Sequence, residues 1–296
     1  EDGWDMEDPR LEKLYDFRLN RTKLHKDDKI LLSWNAWAII ALAKAGQVLE
    51  EPSYLDAAIR IYDFIEGKMV DENDRLYLRY RDGDAAYAGQ LEDYAVYALA
   101  LLELYRVTFD AKYLQCALHR AEQMVEQFED KKNGGYYMTA FDGERLIARP
   151  KETYDGALPS GNSVAAVVLQ TLASLTAEPK WQEAADRQLS FLAGEIGEYP
   201  SASSFGVLAM MGALYPHREL VCVSGDGMPS ELTAYLREHP ADALYVLLKS
   251  KENTETHAEC APFSKDYPIP EQGAMYYLCE NGACNAPVTD FSQLDL

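Results

Sequence analysis

Leu31-Leu32-Ser33-Trp34-Asn35-Ala36-Trp37-Ala38-Ile39-Ile40-Ala41-Leu42-Ala43-Lys44-Ala45-Gly46-Gln47-Val48-Leu49 is the stretch on which the fold turns. It is long enough for a helix and apolar on nearly every face, through Leu31, Leu32, Trp34, Trp37, Ile39, Ile40, Leu42, Val48 and Leu49. A helix of that kind is buried between other helices. The segment that follows is different. From Tyr54 to Ile65, apolar residues recur at helical spacing with charged residues between them, which predicts an amphipathic helix with one solvated face. The turn Glu50-Glu51-Pro52-Ser53 between the two is short enough to make them antiparallel neighbours.

The unit recurs. Residues 94–105 and 164–175 are again apolar all round, and Tyr113 and Trp181 open further amphipathic segments reaching Phe128 and Leu192. A fourth buried helix is expected over 203–214, before Pro216. Buried and exposed helices in alternation stack into a solenoid or close into a ring. The apolar helices form the inner layer and the amphipathic ones the outer wall. About seven helices are visible, which predicts an open arc with an uncovered flank near Trp37, Ile40 and Ala41. The stretch from Pro9 to Leu19 is a candidate cap for that flank. Between the units, residues 76–80, 135–139 and 145–147 read as strands, with hairpin turns at Asp82-Gly83 and Asp142-Gly143.

The last third has another rhythm. Residues 219–225 and 243–248 read as strands around a helix at 229–239, and residues 274–279 as a third strand. The expected fold class is therefore mainly α: a partial α/α toroid over residues 1–216, then a small α/β C-terminal subdomain over 217–296.

With 49 acidic against 28 basic side chains, the formal net charge is -21. That charge repels nucleic-acid phosphate and anionic membranes, so neither is an expected partner. No apolar run approaches the length of a membrane span. Glu1-Asp2-Gly3-Trp4-Asp5 has no signal-peptide character, and the lack of an initiator Met predicts a piece of a longer chain. Five cysteines at irregular spacing do not resemble a disulfide framework, so reduced thiols and a cytoplasmic location are expected. His257, Cys260, Cys279 and Cys284 have zinc-type donors, but the C-x4-C spacing is loose, and buried thiols without a metal are the preferred reading. No cofactor is called for.

In a ring of hairpins the loops before the inner helices gather at one mouth, where unpaired N–H groups attract anionic and polar groups. Those loops hold His25, Asp27, Asp28, Trp34 and Asn35; then Glu92, Asp93 and Tyr94; then Asp155, Ser160 and Asn162. Capping explains Ser160 and Asn162 adequately. The adjacent carboxylates Glu92 and Asp93 exceed what a cap needs. Glycoside hydrolysis requires two carboxyl groups about 5–9 Å apart, one protonated and one ionised. Glu92 or Asp93 is a candidate for one, and Asp155, Asp27 or Asp28 for the other. Trp34, Asn35, His25, Tyr94, Ser160 and Asn162 are candidate ligand contacts, with Trp34 a platform for a sugar ring or peptide. Only His25 among the histidines lies in these loops, which argues against a histidine-based epimerase. The competing reading is a non-catalytic module that binds a small molecule, such as a sugar.

Four strings occur in one order: residues 25–35 (HKDDKILLSWN), 91–95 (LEDYA), 155–163 (DGALPSGNS) and 279–289 (CENGACNAPVT). Together they resemble the YyaL-like thioredoxin-domain-containing family, of the spermatogenesis-associated protein 20 type, across nearly the whole chain. The resemblance implies an upstream thioredoxin-like domain and a six-hairpin-glycosidase-like α/α toroid, similar to N-acylglucosamine 2-epimerases. The missing N-terminal half would then be a partner of this chain. It implies no established activity.

Overall fold

The computed structural model describes residues 8–144, 147–197, 199–240, 243–280 and 283–296. After helix α1 (Pro9–Leu19) and a two-residue strand β1 (Ile30–Leu31), three helical hairpins follow: α2 (Leu32–Val48) with α3 (Pro52–Lys68), α4 (Leu91–Thr108) with α5 (Ala111–Phe128), and α6 (Gly161–Thr176) with α7 (Pro179–Ile196). A further helix, α8 (Ser204–Leu214), has no outer partner among the described residues. The inner layer runs α2–α4–α6–α8, each helix packed on the next, and α3, α5 and α7 back it. Strands β2 (Tyr77–Arg81) and β3 (Asp84–Ala88) join β1 in a small antiparallel sheet.

Burial follows the residue pattern. On α4 twelve residues from Leu91 to Tyr105 are buried, on all sides of the helix, and the alanines at 95, 98 and 100 let its neighbours approach closely. On α5 the buried set Tyr113, Leu114, Ala117, Ala121, Met124 and Phe128 forms one stripe. Each buried Leu, Val or Phe contributes roughly 1.5–3 kcal/mol over its exposed state. The end helices are open: α8 buries only Gly206 and Ala209, and its Leu208, Met211 and Leu214 are exposed. The flank on α2 is milder than expected. Trp37 and Ile40 are half-buried while Ala41 is exposed as expected, and the Trp37 ring meets Phe205 of α8 edge-on at 6.2 Å. Helix α1 forms, but none of its residues is buried, so it does not serve as a cap.

The three inner-to-outer turns share one construction. Glu50, Phe109 and Ala177 each take a left-handed φ of 53–55°, and an acidic N-cap follows: Glu51, Asp110 or Glu178. The Asp82-Gly83 hairpin forms, with both residues at positive φ. The other connector does not follow expectation. Among the described residues, 135–139 make only a bridge from Tyr136 to Glu129 and no strand pair flanks the Asp142-Gly143 turn. The expected strand beyond it falls partly on residues outside the described set. This connector instead pairs with the mouth: Asn162 holds both the N–H and the C=O of Tyr136 with its side-chain amide.

The last elements are β4 (Arg218–Ser224), α9 (Ser230–Glu238), β5 (Leu244–Ser250), α10 (Thr254–Cys260), β6 (Ala274–Glu280) and β7 (Ala283–Cys284). The sheet order is β5-β4-β6-β7, with β4 and β5 parallel and the other pairs antiparallel. The unit sits at the C-terminal ends of the inner helices. The Leu248 N–H donates to the Tyr105 hydroxyl at 3.2 Å, and Arg106 donates to the Pro240 carbonyl at 2.7 Å. One apolar core runs through both parts. The thiol reading of Cys279 and Cys284 is corrected: they face each other across β6 and β7 and form a disulfide. Among the described residues no zinc donor set is assembled: Cys279 and Cys284 are bound to each other, and His257 pairs with the Ser264 hydroxyl at 2.7 Å. No described helix is long and apolar enough to cross a membrane.

Candidate functional site at the toroid mouth

Helices α2, α4 and α6 begin around one cavity of about 310 Å3, which Trp34, Glu92 and Ser160 line together. Close approach of α4 and α6 depends on Gly161. A Cβ there would lie 2.8 Å from Leu91 Cγ and 3.1 Å from the Glu92 nitrogen. The other wall is the 152–159 connector, which brings Glu152, Tyr154 and Leu158. Trp34 and Tyr154 are each 62% exposed, so two aromatic faces are open to a ligand. Glu92 is half-buried, and burial pushes its carboxyl above the usual range, against a hydrogen bond from Ser33.

The remaining candidates divide by what already holds them. Asp93 lies behind Glu92, 3% exposed. It accepts from the Ser33 N–H at 3.2 Å and the Gln90 N–H at 2.8 Å, tying the starts of α2 and α4 together. Burial pushes its carboxyl up to about 7. Asp155 accepts the Ser160 N–H on one oxygen at 2.7 Å. On the other it accepts the Ser163 hydroxyl at 3.2 Å and the N–H groups of Phe205 and Gly206 at 2.7 and 3.0 Å. It thereby clamps the starts of α6 and α8. Asn162 is fully buried, bonded to Tyr136, Glu152 and Gln188. Ser160 caps α6 through the Ser163 N–H. The buried Tyr94 hydroxyl accepts the Leu76 N–H, and Asn35 folds back onto the Leu31 carbonyl.

His25, Asp27 and Asp28 are exposed on the loop before β1 and are not among the residues lining the cavity. Asp27 pairs with Lys29 at 2.9 Å, and Asp28 with Arg81 at 2.8 Å. Glu152 and Tyr154 were not singled out from the sequence. Their one signal is position, a few residues before a polar loop already judged to reach the mouth.

No protein-family profile matches the chain. It is 28% identical over 299 residues to spermatogenesis-associated protein 20 of Rattus norvegicus, a match covering 96% of this chain and 38% of that protein. The chain therefore spans well under half of the relative's length. Among solved structures, the cellobiose 2-epimerase of Spirochaeta thermophila superposes with a TM-score of 0.53 at 18% identity, covering 71% of this chain and 57% of that one. The cellobiose 2-epimerase of Bacillus thermoamylovorans gives 0.52 at 14%, covering 89% and 68%. At these identities the likeness concerns the fold. The chain is thus similar over nearly its whole length to part of spermatogenesis-associated protein 20, and its fold is an α/α toroid.

Proposed function

We propose that the toroid mouth binds a saccharide, stacked on Trp34 and Tyr154, with Glu92 as the proton-carrying carboxyl. The observation that carries this reading is one shared cavity: two open aromatic faces beside a half-buried carboxyl of raised pKa. Sugars present apolar ring faces and a rim of hydroxyls, which suits aromatic platforms ringed by helix N-termini. Two toroids of similar fold are cellobiose 2-epimerases, which makes a disaccharide the first ligand to test.

If the site turns its ligand over, Glu152 is the second carboxylate, since it lines the same cavity as Glu92. The alternative is a binding module without turnover. It is favoured by Asp93 and Asp155, whose oxygens are occupied by backbone N–H groups and therefore supply no free base. Titration with cellobiose and mannobiose, followed by tryptophan fluorescence, tests binding. Trp34→Ala should remove the saturable signal. Glu92→Gln should keep binding and abolish any product formation measured by chromatography. A wild-type protein without saturable response to either disaccharide at millimolar concentration would overturn the proposal.

A further inference from the structure

The register of the four-stranded sheet sets Tyr245 on β5, Glu219 on β4, Cys279 on β6 and Cys284 on β7 side by side in one row. Directly opposed residues on adjacent strands share a face, with Cβ atoms about 4.5–5.5 Å apart. The row opens on a second cavity of about 430 Å3, at the C-terminal end of α6 and so at the far end of the inner layer from the mouth. All four residues line it, together with His217 and the apolar Leu247 and Phe263. His217 Nε2 stands 3.1 Å from a Glu219 carboxyl oxygen, and the imidazole meets the Tyr245 ring edge-on at 5.6 Å. Cys279 is 8% exposed, whereas Cys284 is open to solvent.

A disulfide, an acid/base pair and an apolar cavity thus meet on one sheet face. A purely structural role explains this poorly. The two cysteines are only five residues apart, and a short loop gains least from a cross-link. The hairpin also closes without it, through the Asn285 N–H donating to the Leu278 carbonyl at 2.9 Å. We propose that this cavity is a thiol–disulfide exchange site, in which the Cys279–Cys284 disulfide oxidises a small uncharged dithiol with an apolar body.

The thiolate of the dithiol attacks the exposed Cys284 sulfur. The S–S bond breaks, and its electron pair leaves on Cys279, which takes a proton from the His217–Glu219 pair. The second substrate thiol gives its proton to that pair and attacks the substrate sulfur in the mixed disulfide. Cys284 then leaves as thiolate and is protonated. One protein disulfide becomes two thiols, and two substrate thiols become one disulfide. Burial pushes the Glu219 carboxyl up, so it can hold the proton that Cys279 needs. The formal net charge of -21 disfavours anionic thiols such as glutathione.

The test uses the full chain without denaturant, two uncharged dithiol probes, and mass spectrometry after alkylation. The probes are dihydrolipoamide, with an apolar tail, and dithiothreitol. Each rate is divided by the rate at which the same dithiol reduces oxidised glutathione. We expect the corrected rate for dihydrolipoamide to exceed that for dithiothreitol by about tenfold. Gln182→Trp, on the exposed face of α7 at the cavity rim, should erase that advantage and leave the dithiothreitol rate unchanged. Ser174→Trp provides a second obstruction from the α6 side. Glu219→Gln should slow exchange and displace its pH profile. A disulfide that yields to neither dithiol until the protein is unfolded would overturn the proposal. So would equal corrected rates that neither obstruction alters.

Discussion

Replacing Asp155 separates a catalytic carboxylate from a structural one. Its Oδ2 accepts three hydrogen bonds and its Oδ1 one, and three of the four donors are backbone N–H groups, of the α6 cap residue Ser160 and of Phe205 and Gly206 in α8. In Asp155→Ala those three N–H groups lose a charged acceptor. Hydrogen bonds to charged groups contribute about 1.5–3 kcal/mol each. Asp155 is half-buried, so water replaces part of that loss, and a destabilisation of about 3–4 kcal/mol is expected. Asp155→Asn keeps an acceptor at the Oδ2 position, where three donors converge, and turns its NH2 toward the Ser160 N–H. It should cost about half as much. Urea unfolding followed by far-ultraviolet circular dichroism measures both, with an unchanged slope as the control for a two-state comparison. Removing a strained catalytic carboxylate commonly leaves stability unchanged or improved. If Asp155→Ala unfolds within about 1 kcal/mol of the wild type, the clamp argument fails and Asp155 returns as a catalytic candidate.

Three further outcomes follow from the geometry. Burial and the nearby Lys249 charge hold His257 down at about 4, against 6.5 in an unfolded chain. The unfolded state then binds more protons between those values, so stability is full above pH 6.5 and falls toward pH 4 by about 3 kcal/mol. Subtracting the pH–stability curve of His257→Gln from that of the wild type should show this slope, and a flat difference would refute it. Asp93 has the opposite sign: with its carboxyl raised to about 7, its contribution is present below pH 3.8 and is lost as pH rises through 7. Asp93→Asn should therefore remove a decline in stability between about pH 4 and 7, whatever its effect on absolute stability. Gly135 has φ +73°, and a Cβ on it would stand 2.6 Å from the Phe191 ring. Gly135→Ala should cost about 1–3 kcal/mol in urea, and a change near zero would show that the ring and turn relax freely.

The hairpin repeat was legible because burial there is a property of whole segments. A run such as 94–105 has no polar face to give water, so its place inside follows from composition alone. The expected strand over 135–139 shows where that reasoning stops. Its alternation is consistent with a strand, but Tyr136 spends its N–H and C=O on the Asn162 amide, and no sequence rule announces a side chain that replaces a strand. The disulfide escaped notice for a related reason. An odd cysteine count and irregular spacing suggested free thiols, whereas pairing depended on a register that sets residue 279 opposite 284.

The polar loops of the mouth pose a deeper ambiguity. A ring of inner helices must satisfy every helix start, and it does so with Asp, Ser and Asn, the residue types that also serve as catalysts and ligands. Sequence alone gives Glu92 and Asp93 the same standing. The helix separates them, because consecutive residues differ by about 100° around the axis. Asp93 turns inward to the Ser33 and Gln90 N–H groups and is used up there. Glu92 turns to the cavity, half-buried and with its carboxyl raised. The useful criterion is therefore the acceptor capacity left over once helix starts are satisfied. By that criterion Glu92 and Glu152 remain open to a ligand, whereas Asp93 and Asp155 hold the mouth in shape.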